Sequence, residues 1–365
     1  MSELVKKYDK SRMIDLILSA PWEFERSLEE YGKIDLPRRV GEAVLPSLEE
    51  TRNIVIVGMG GSAIVGDVTR GLLSDKIEVP IEVIRTLRTP SYVRDGTIMI
   101  VVSYSGNTME TIMSCTAGLR RGAYPVIISS NGLLQRLSQR IGAAFYRLPS
   151  GRPPRTALAP MLAAMLSIFK KTEFSKALPR LDGAARAAQR YVEKVKNELF
   201  AGEEAKIAKE ISGGIPMIYS YEPYTPIGFR LKTQLNENAK HHAFLEELPE
   251  ANHNEIMGWE VLTVKYLHPI YIRGREERRE ITTSIDYRIE MLRGKGVKYS
   301  IIKAEGGDRL EEYLYLMVKV DLVSYLTALE KRVDPTPVAT ISGLKKKLEN
   351  ELNLGERLQR LVNGN

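Results

Sequence analysis

The sequence predicts an α/β protein built from two units, each a parallel β-sheet flanked by helices. Short apolar runs rich in Val and Ile alternate with longer helical patterns along most of the chain. A long helical stretch interrupts this alternation near the middle, and a second series of strands and helices follows it. The 365 residues are also enough for two hydrophobic cores. We therefore expect one sheet on each side of the central helical stretch.

The first half is predicted to hold an N-terminal helical segment, 1–50, and a first α/β domain, 51–155. Pro37 and Pro46 are breaks in the helical segment. The domain has five predicted strands: 53–58, 81–86, 97–103, 124–129 and 144–148. Predicted helices follow the first, third and fourth of these strands, so the strands should run parallel.

The second half is predicted to hold a helical connector, 156–204, a second α/β domain, 205–347, and a basic amphipathic tail, 348–365. The predicted strands of this domain are 215–221, 243–248, 262–272 and 298–304. Its predicted helices are 227–239, 278–292 and 310–331.

The composition excludes several classes of protein. Lys and Arg number 53 against 46 Asp and Glu, a mild excess that suits small anionic ligands as well as nucleic acid. Cys115 is alone, which rules out a disulfide framework. The charged N-terminus has no apolar core of a secretory signal, and no apolar stretch approaches the roughly 20 residues of a spanning helix. We expect a cytoplasmic protein without membrane or nucleic-acid partners.

Gly58-Met-Gly-Gly-Ser-Ala63 lies between a predicted strand and a predicted helix. It loosely fits the glycine fingerprint of dinucleotide-binding folds, and it also fits a tight turn that needs glycine for steric reasons. A third interpretation fits better. Gly60, Gly61 and Ser62 would place backbone N–H groups and a hydroxyl at a helix N-terminus, where an anion or sugar hydroxyls can bind.

Ser103-Tyr-Ser-Gly-Asn-Thr-Met-Glu110 ends another predicted strand and opens a helix. Asn107 and Glu110 fit a capping box, which makes Glu110 a structural residue. Capping does not require Ser103, Ser105 and Thr108 together. These hydroxyls at the positive end of a helix dipole predict a phosphate site.

This pattern, preceded by the Gly-Gly-Ser loop, resembles the sugar isomerase (SIS) domain family. The segments Arg230–Lys240 and Leu248–Trp259 are similar to the archaeal bifunctional phosphoglucose/phosphomannose isomerases. The resemblance extends from about residue 50 to residue 347 and implies two SIS-type units.

The resemblance implies a role for four further residues. Glu237 would be the base that moves a proton between C1 and C2 through a cis-enediol, and His253 the group that opens the sugar ring. His253 would reach the site from the partner chain of a homodimer. Arg155 would stabilise the enediolate. Lys345 would be the lysine of the site, although the adjacent Lys346 and Lys347 leave open which of the three matches the lysine of the family.

The leading hypothesis is a metal-independent isomerase that interconverts glucose 6-phosphate and mannose 6-phosphate with fructose 6-phosphate. It needs no cofactor, and no residues have the spacing of metal ligands. A non-catalytic sugar-phosphate sensor is the first alternative, but residues 1–50 contain no compact basic recognition helix. An NAD-dependent dehydrogenase ranks last, because it gives the hydroxyls at 103–108 no role.

Overall fold

The computed structural model describes residues 3–261 and 266–364. The chain divides into two compact units. The five-strand unit comprises Glu23–Leu178 and Val338–Asn365, and the four-strand unit comprises Met1–Trp22 and Pro179–Pro337. These boundaries differ from the predicted segments. The predicted N-terminal segment 1–50 and the predicted connector 156–204 are each divided between the units. Residues 338–347 of the predicted second domain and the predicted tail belong to the five-strand unit.

The N-terminal segment is helical only in its first part. Helices α1 (Glu3–Tyr8) and α2 (Met13–Tyr31) are followed by an antiparallel ribbon of β1 (Arg39–Val40) and β2 (Ala43–Val44). The ribbon was not predicted. Gly41, at φ +57°, makes its two-residue turn possible, because a left-handed conformation there costs glycine little.

The five-strand unit contains a fully parallel sheet of order β4-β3-β5-β6-β7. Its elements in chain order are β3 (Asn53–Val57), α3 (Gly61–Leu73), β4 (Ile81–Ile84), β5 (Thr97–Val102), α4 (Met109–Leu119), β6 (Tyr124–Ser129), α5 (Gly132–Ile141), β7 (Phe145–Arg147) and α6 (Leu158–Lys170). Every residue of β3, β5 and β6 is buried, as expected when helices cover both faces of a sheet.

The four-strand unit contains a second parallel sheet, of order β11-β10-β8-β9. Its elements are α7 (Arg186–Glu198), α8 (Glu203–Ser212), β8 (Ile215–Tyr221), α9 (Thr225–Asn238), β9 (Phe244–Leu248), β10 (Leu267–Arg273), α10 (Arg279–Gly294), β11 (Ser300–Lys303) and α11 (Arg309–Glu330). The strand predicted at 262–272 is described only from Leu267, and its positions 262–265 lie outside the described residues. Helix α11 is buried along almost its whole length and packs on α7, α8 and α9.

Two helices close the chain within the five-strand unit. Helix α12 (Ala339–Leu352) has no buried residue, whereas α13 (Leu354–Asn363) buries Leu354, Leu358 and Val362. Leu358 and Val362 join the core cluster beneath α4 and α5. None of the helices in the described part of the chain is long and apolar enough to cross a bilayer.

Both sheets are parallel and flanked by helices, as predicted. Apolar runs of the right length, separated by helical patterns, were sufficient to predict this architecture.

Candidate functional site

The sheet of the five-strand unit places two of the predicted loops side by side. Numbered within the sheet, its strand order is 2-1-3-4-5, and the strand order reverses between β3 and β5. The loop after β3 and the loop after β5 therefore begin at adjacent strand ends at this switch point, where open α/β sheets bind ligands.

The loop after β3 makes a close turn into α3. Gly60 has φ +53°, and a Cβ atom on Gly61 would lie 3.4 Å from Cα of Arg155. The positive φ of Gly60 agrees with the steric interpretation at that position, whereas a Cβ atom on Gly61 would make only an ordinary van der Waals contact. Neither observation conflicts with ligand binding. The buried Ser62 side chain accepts a hydrogen bond through Oγ from the backbone N–H of Tyr104, at 3.3 Å. This bond joins the two loops.

The loop after β5 is held together by its own hydroxyl groups. Ser103 Oγ and Thr108 Oγ1 lie 2.9 Å apart, and Ser105 Oγ accepts from the N–H of Asn107 at 3.3 Å. Ser103 is buried, Thr108 is half-buried and Ser105 is exposed. Ser105 and Thr108 therefore face the surface at the N-terminal end of α4, as a phosphate site requires.

The predicted capping box at Asn107 and Glu110 is wrong. Helix α4 has Thr108 as its N-cap, without a side-chain capping bond, so Glu110 does not occupy the third helical position. Oδ1 of Asn107 instead accepts from the backbone N–H of Leu133, at 2.9 Å, in the first turn of α5. The Asn107 side chain, which the local sequence assigned to the N-terminus of α4, therefore makes a tertiary contact with α5 instead.

A third loop, after β6, was missed by the sequence reasoning. Ser130 Oγ donates to the carbonyl of Tyr104 at 2.6 Å. Gly106 has φ +67°, and a Cβ atom there would collide with the carbonyl oxygen of Asn131. The signal was available, since Ser129-Ser-Asn-Gly132 ends a buried strand and leads into a helix, as the other two motifs do.

Arg155 is buried in a 3₁₀ turn, Pro154–Ala157, directly before α6. The later Pro160 occupies the first turn of α6, where proline is tolerated, so it does not disturb this turn. Because the backbone of Arg155 packs on Gly61, this arginine is adjacent to the loop after β3.

Lys345 lies on α12 and is exposed together with Lys346 and Lys347. Lys347 Nζ is 3.7 Å from the carboxylate of Glu351, a surface pair one turn along the helix. The structure thus describes all three lysines as surface residues of one helix, and the choice of Lys345 stays a prediction.

Glu237 lies half-buried in the last turn of α9. Three buried polar side chains at intervals of four residues hold α9 against α11. Arg230 Nη2 is 2.5 Å from Asp321 Oδ2, Gln234 Nε2 donates to Asp321 Oδ1 at 2.8 Å, and Asn238 Nδ2 donates to Ser324 Oγ at 2.9 Å. These bonds fix the position of α9 along its axis and thereby the position of Glu237.

His253 is exposed between two 3₁₀ turns, Glu250–Asn252 and Glu255–Trp259. Its backbone N–H donates to the carbonyl of Glu250 at 2.9 Å. Two other histidines have structural partners: His241 Nε2 lies 3.0 Å from the carbonyl of Ile211, and His268 Nε2 lies 2.8 Å from Ser300 Oγ.

The predicted site residues are divided between the units. The three loops, Arg155 and Lys345 belong to the five-strand unit, whereas Glu237 and His253 belong to the four-strand unit. Within residues 3–261 and 266–364, no group of three or more His, Cys, Asp or Glu side chains has the arrangement of a metal site.

Comparison with known proteins gives one family and many relatives. The family described as the bacterial phospho-glucose isomerase C-terminal SIS domain matches residues 200–348. The bifunctional phosphoglucose/phosphomannose isomerase of Aquifex aeolicus is 32% identical over 311 residues, covering 84% of this chain and 94% of that protein. The enzyme of the same name from Aeropyrum pernix is 32% identical over 354 residues, covering 93% and 99%.

Solved structures confirm the predicted fold class. A hypothetical protein from Thermus thermophilus superposes with a TM-score of 0.72 at 13% identity, covering 96% of this chain and 92% of that one. The tagatose-6-phosphate ketose/aldose isomerase of Escherichia coli superposes with a TM-score of 0.65 at 13% identity, covering 89% and 95%. At this level of identity the likeness concerns the fold alone.

Proposed function

The chain belongs to the bifunctional phosphoglucose/phosphomannose isomerase family, and we propose that it interconverts glucose 6-phosphate and mannose 6-phosphate with fructose 6-phosphate. The observation that carries the proposal is the polar loop Ser103–Thr108 at the N-terminus of α4, next to the Gly60–Ser62 loop at the switch point of the sheet. Hydroxyls and a helix dipole there suit a doubly charged phosphate better than a neutral ligand.

The substrate's phosphate would bind at Ser105 and Thr108, with Gly60, Gly61, Ser62 and Ser103 shaping and supporting the loops. Glu237 would then remove the proton from C2 of the open-chain aldose and return it to C1. The cis-enediol between these steps can be reprotonated at C2 on either face, so one site can serve both epimers.

The other polar groups would assist these proton transfers. Arg155 would stabilise negative charge on the enediolate oxygens, because a guanidinium near a developing oxyanion lowers the barrier. His253 would move the proton at the ring oxygen when the cyclic sugar opens, since imidazole titrates near neutral pH. Lys345 would be a further cation at the site.

We propose a cytoplasmic homodimer in which His253 acts in the site of the partner. The exposure of His253 on a surface loop supports this arrangement. The proposal involves no cofactor, nucleic acid or membrane.

The decisive experiment is a coupled assay with fructose 6-phosphate and EDTA, scored separately for glucose 6-phosphate and mannose 6-phosphate. We expect both products. Glu237→Gln should lower kcat by about a hundredfold or more, as loss of a general base does. Glu290→Gln, at an exposed position on α10, is the matched control and should behave like the unmodified protein.

Three results would contradict the proposal. Activity that a chelator abolishes and zinc restores would mean that the reaction depends on a metal. Full isomerase activity in Glu237→Gln would remove this carboxylate from the mechanism. Binding of hexose phosphate without turnover by the unmodified protein would favour a sensor.

A further inference from the structure

A buried arginine, Arg288, lies beneath the loop that carries His253. It belongs to α10, and its side chain is only 1% exposed. The guanidinium donates to Oδ1 of Asn252 at 2.8 Å and to the carbonyl of Ala251 at 2.7 Å. A third N–H donates to Oε2 of Glu255 at 3.0 Å. The three bonds reach the chain on both sides of His253.

The acidic partner of this arginine is itself fully engaged. Oε1 of Glu255 accepts from the hydroxyl of Tyr219 at 2.7 Å and from the indole N–H of Trp259 at 2.8 Å. The guanidinium carbon of Arg288 also lies 4.9 Å from the ring centre of Tyr219. The loop is therefore attached through one connected network to β8 and α10, and the network gains from the mutual polarisation of its bonds.

Stability alone is a weak reason for such a network. Desolvating two charges costs nearly as much as their attraction returns, and an apolar cluster of similar volume often does as well. An apolar cluster cannot fix the orientation of the loop, because hydrophobic contacts are non-directional. A planar guanidinium with three different acceptors fixes the backbone from Ala251 to Glu255 in one orientation.

We propose that Arg288 is a positioning residue for the reaction: by fixing the backbone on both sides of His253, it sets the direction in which the exposed imidazole points. The inference rests on the proposed acid/base role of His253. Arg288 itself, being buried beneath the loop, does not touch the substrate.

The first test replaces Arg288 by lysine, which keeps the positive charge but loses the planar fork. With glucose 6-phosphate, kcat should fall about tenfold to a hundredfold, as small misplacements of catalytic groups do, while KM changes little. With 4,5-dideoxyglucose 6-phosphate, which has no hydroxyl that can close a five- or six-membered ring, turnover should be unchanged. A merely structural role would not distinguish the two substrates.

Arg273→Lys is the matched control. Arg273 is an arginine of the same unit whose ion pairs are with Glu277 and Asp286 rather than with the loop. This variant loses an arginine fork of the same kind and should not discriminate between the two substrates. Thermal unfolding of both variants measures any general loosening of the unit.

A second pair of variants keeps the test valid if Arg288→Lys does not fold. Asn252→Asp retains an oxygen acceptor for Nε of Arg288 and should keep its activity on the cyclic sugar, whereas Asn252→Leu removes the acceptor and should lose activity. A double variant, His253→Ala with Asn252→Leu, should be no slower than His253→Ala alone, because both changes act on one step.

The outcomes separate this inference from the proposed function. If His253→Ala impairs ring opening but Arg288→Lys and Asn252→Leu do not, the positioning role is wrong and the proposed function stands. Equal losses on both substrates, or additive losses in the double variant, also overturn it. Normal activity of His253→Ala would remove the role of His253 and this inference with it.

Discussion

The hydroxyl groups of the Ser103–Thr108 loop make hydrogen bonds within the loop and are also the groups proposed to bind phosphate. Ser103 and Thr108 bond each other, and Ser105 bonds the backbone of Asn107, so the side chains proposed to bind phosphate also shape the loop that presents them. A phosphate bound there would meet hydroxyls that are already held in place, which lowers the entropic cost of binding.

Thr108→Val should therefore raise KM for hexose phosphates. It removes a hydrogen bond to a charged group, worth about 1.5–3 kcal/mol, or roughly tenfold to a hundredfold in KM. Steady-state kinetics checks this, with Thr116→Val as control, because Thr116 bonds carbonyls of its own helix. An unchanged KM in both Thr108→Val and Ser105→Ala would contradict the phosphate assignment.

His268 should make the unfolding free energy depend on pH. Burial, with a smaller contribution from Lys298, lowers the pKa of His268 below its usual 6.5, and Glu210 opposes this shift. The imidazole of His268 therefore binds a proton more readily in the unfolded chain than in the folded one. The contribution of His268 to the unfolding free energy is complete above about pH 6.5 and is lost as the pH decreases through the folded pKa.

Urea unfolding at several values between about pH 7.5 and pH 5 measures this dependence. The unfolding free energy of the unmodified protein should decrease more steeply with falling pH than that of His268→Gln. If the unfolding free energies of the two proteins change in parallel with pH, protonation of His268 does not contribute to the pH dependence.

Among the elements, the C-terminal helix α13 is part of the core of the five-strand unit, which was not expected from its position in the predicted tail. Leu358 and Val362 complete the core formed by α4, α5 and the neighbouring strands. Helix α12, which precedes it and carries Lys345, buries no side chain of its own. Attachment of α12 to the five-strand unit therefore depends on the burial of α13.

Leu358→Ala should destabilise the five-strand unit by about 2–5 kcal/mol, the usual cost of a leucine-sized cavity in a core. Leu352→Ala, at a position on α12 that is 47% exposed, is the control and should cost much less. Thermal or urea unfolding compares the two. A Leu358→Ala protein as stable as the control would mean that α13 is not part of the core in solution.

At the scale of the whole molecule, the proposed homodimer predicts complementation between inactive proteins. Glu237→Gln and His253→Ala should each be nearly inactive as homodimers. Mixed after unfolding and refolding together, they should regain about a quarter of the normal activity, because half of the dimers are mixed and each has one intact site.

Two observations control this experiment. Each variant refolded alone should remain inactive, and light scattering should give the mass of a dimer. No recovery in a mixture that forms mixed dimers would place Glu237 and His253 of one chain in the same site.

The sequence alone determined the parallel sheets, the polar loops at their carboxyl edges and the family, whose resemblance the relatives confirm. Buried parallel strands are continuous apolar runs, and a ligand site at strand ends is a short contiguous motif, so both are local properties of the chain. Residues 103–108 could be placed between a buried strand and a helix for that reason before any contact was known.

Only the tertiary structure decided what depends on partners distant in the chain. Asn107 bonds Leu133 rather than its own helix, Arg288 turns inward to the His253 loop, and α13 joins a core more than 200 residues away in sequence. In each case the local sequence permits two states, one with a contact to a distant part of the chain and one without it. Which of the two states forms depends on the geometry of the neighbouring elements, and a local sequence pattern does not contain this information.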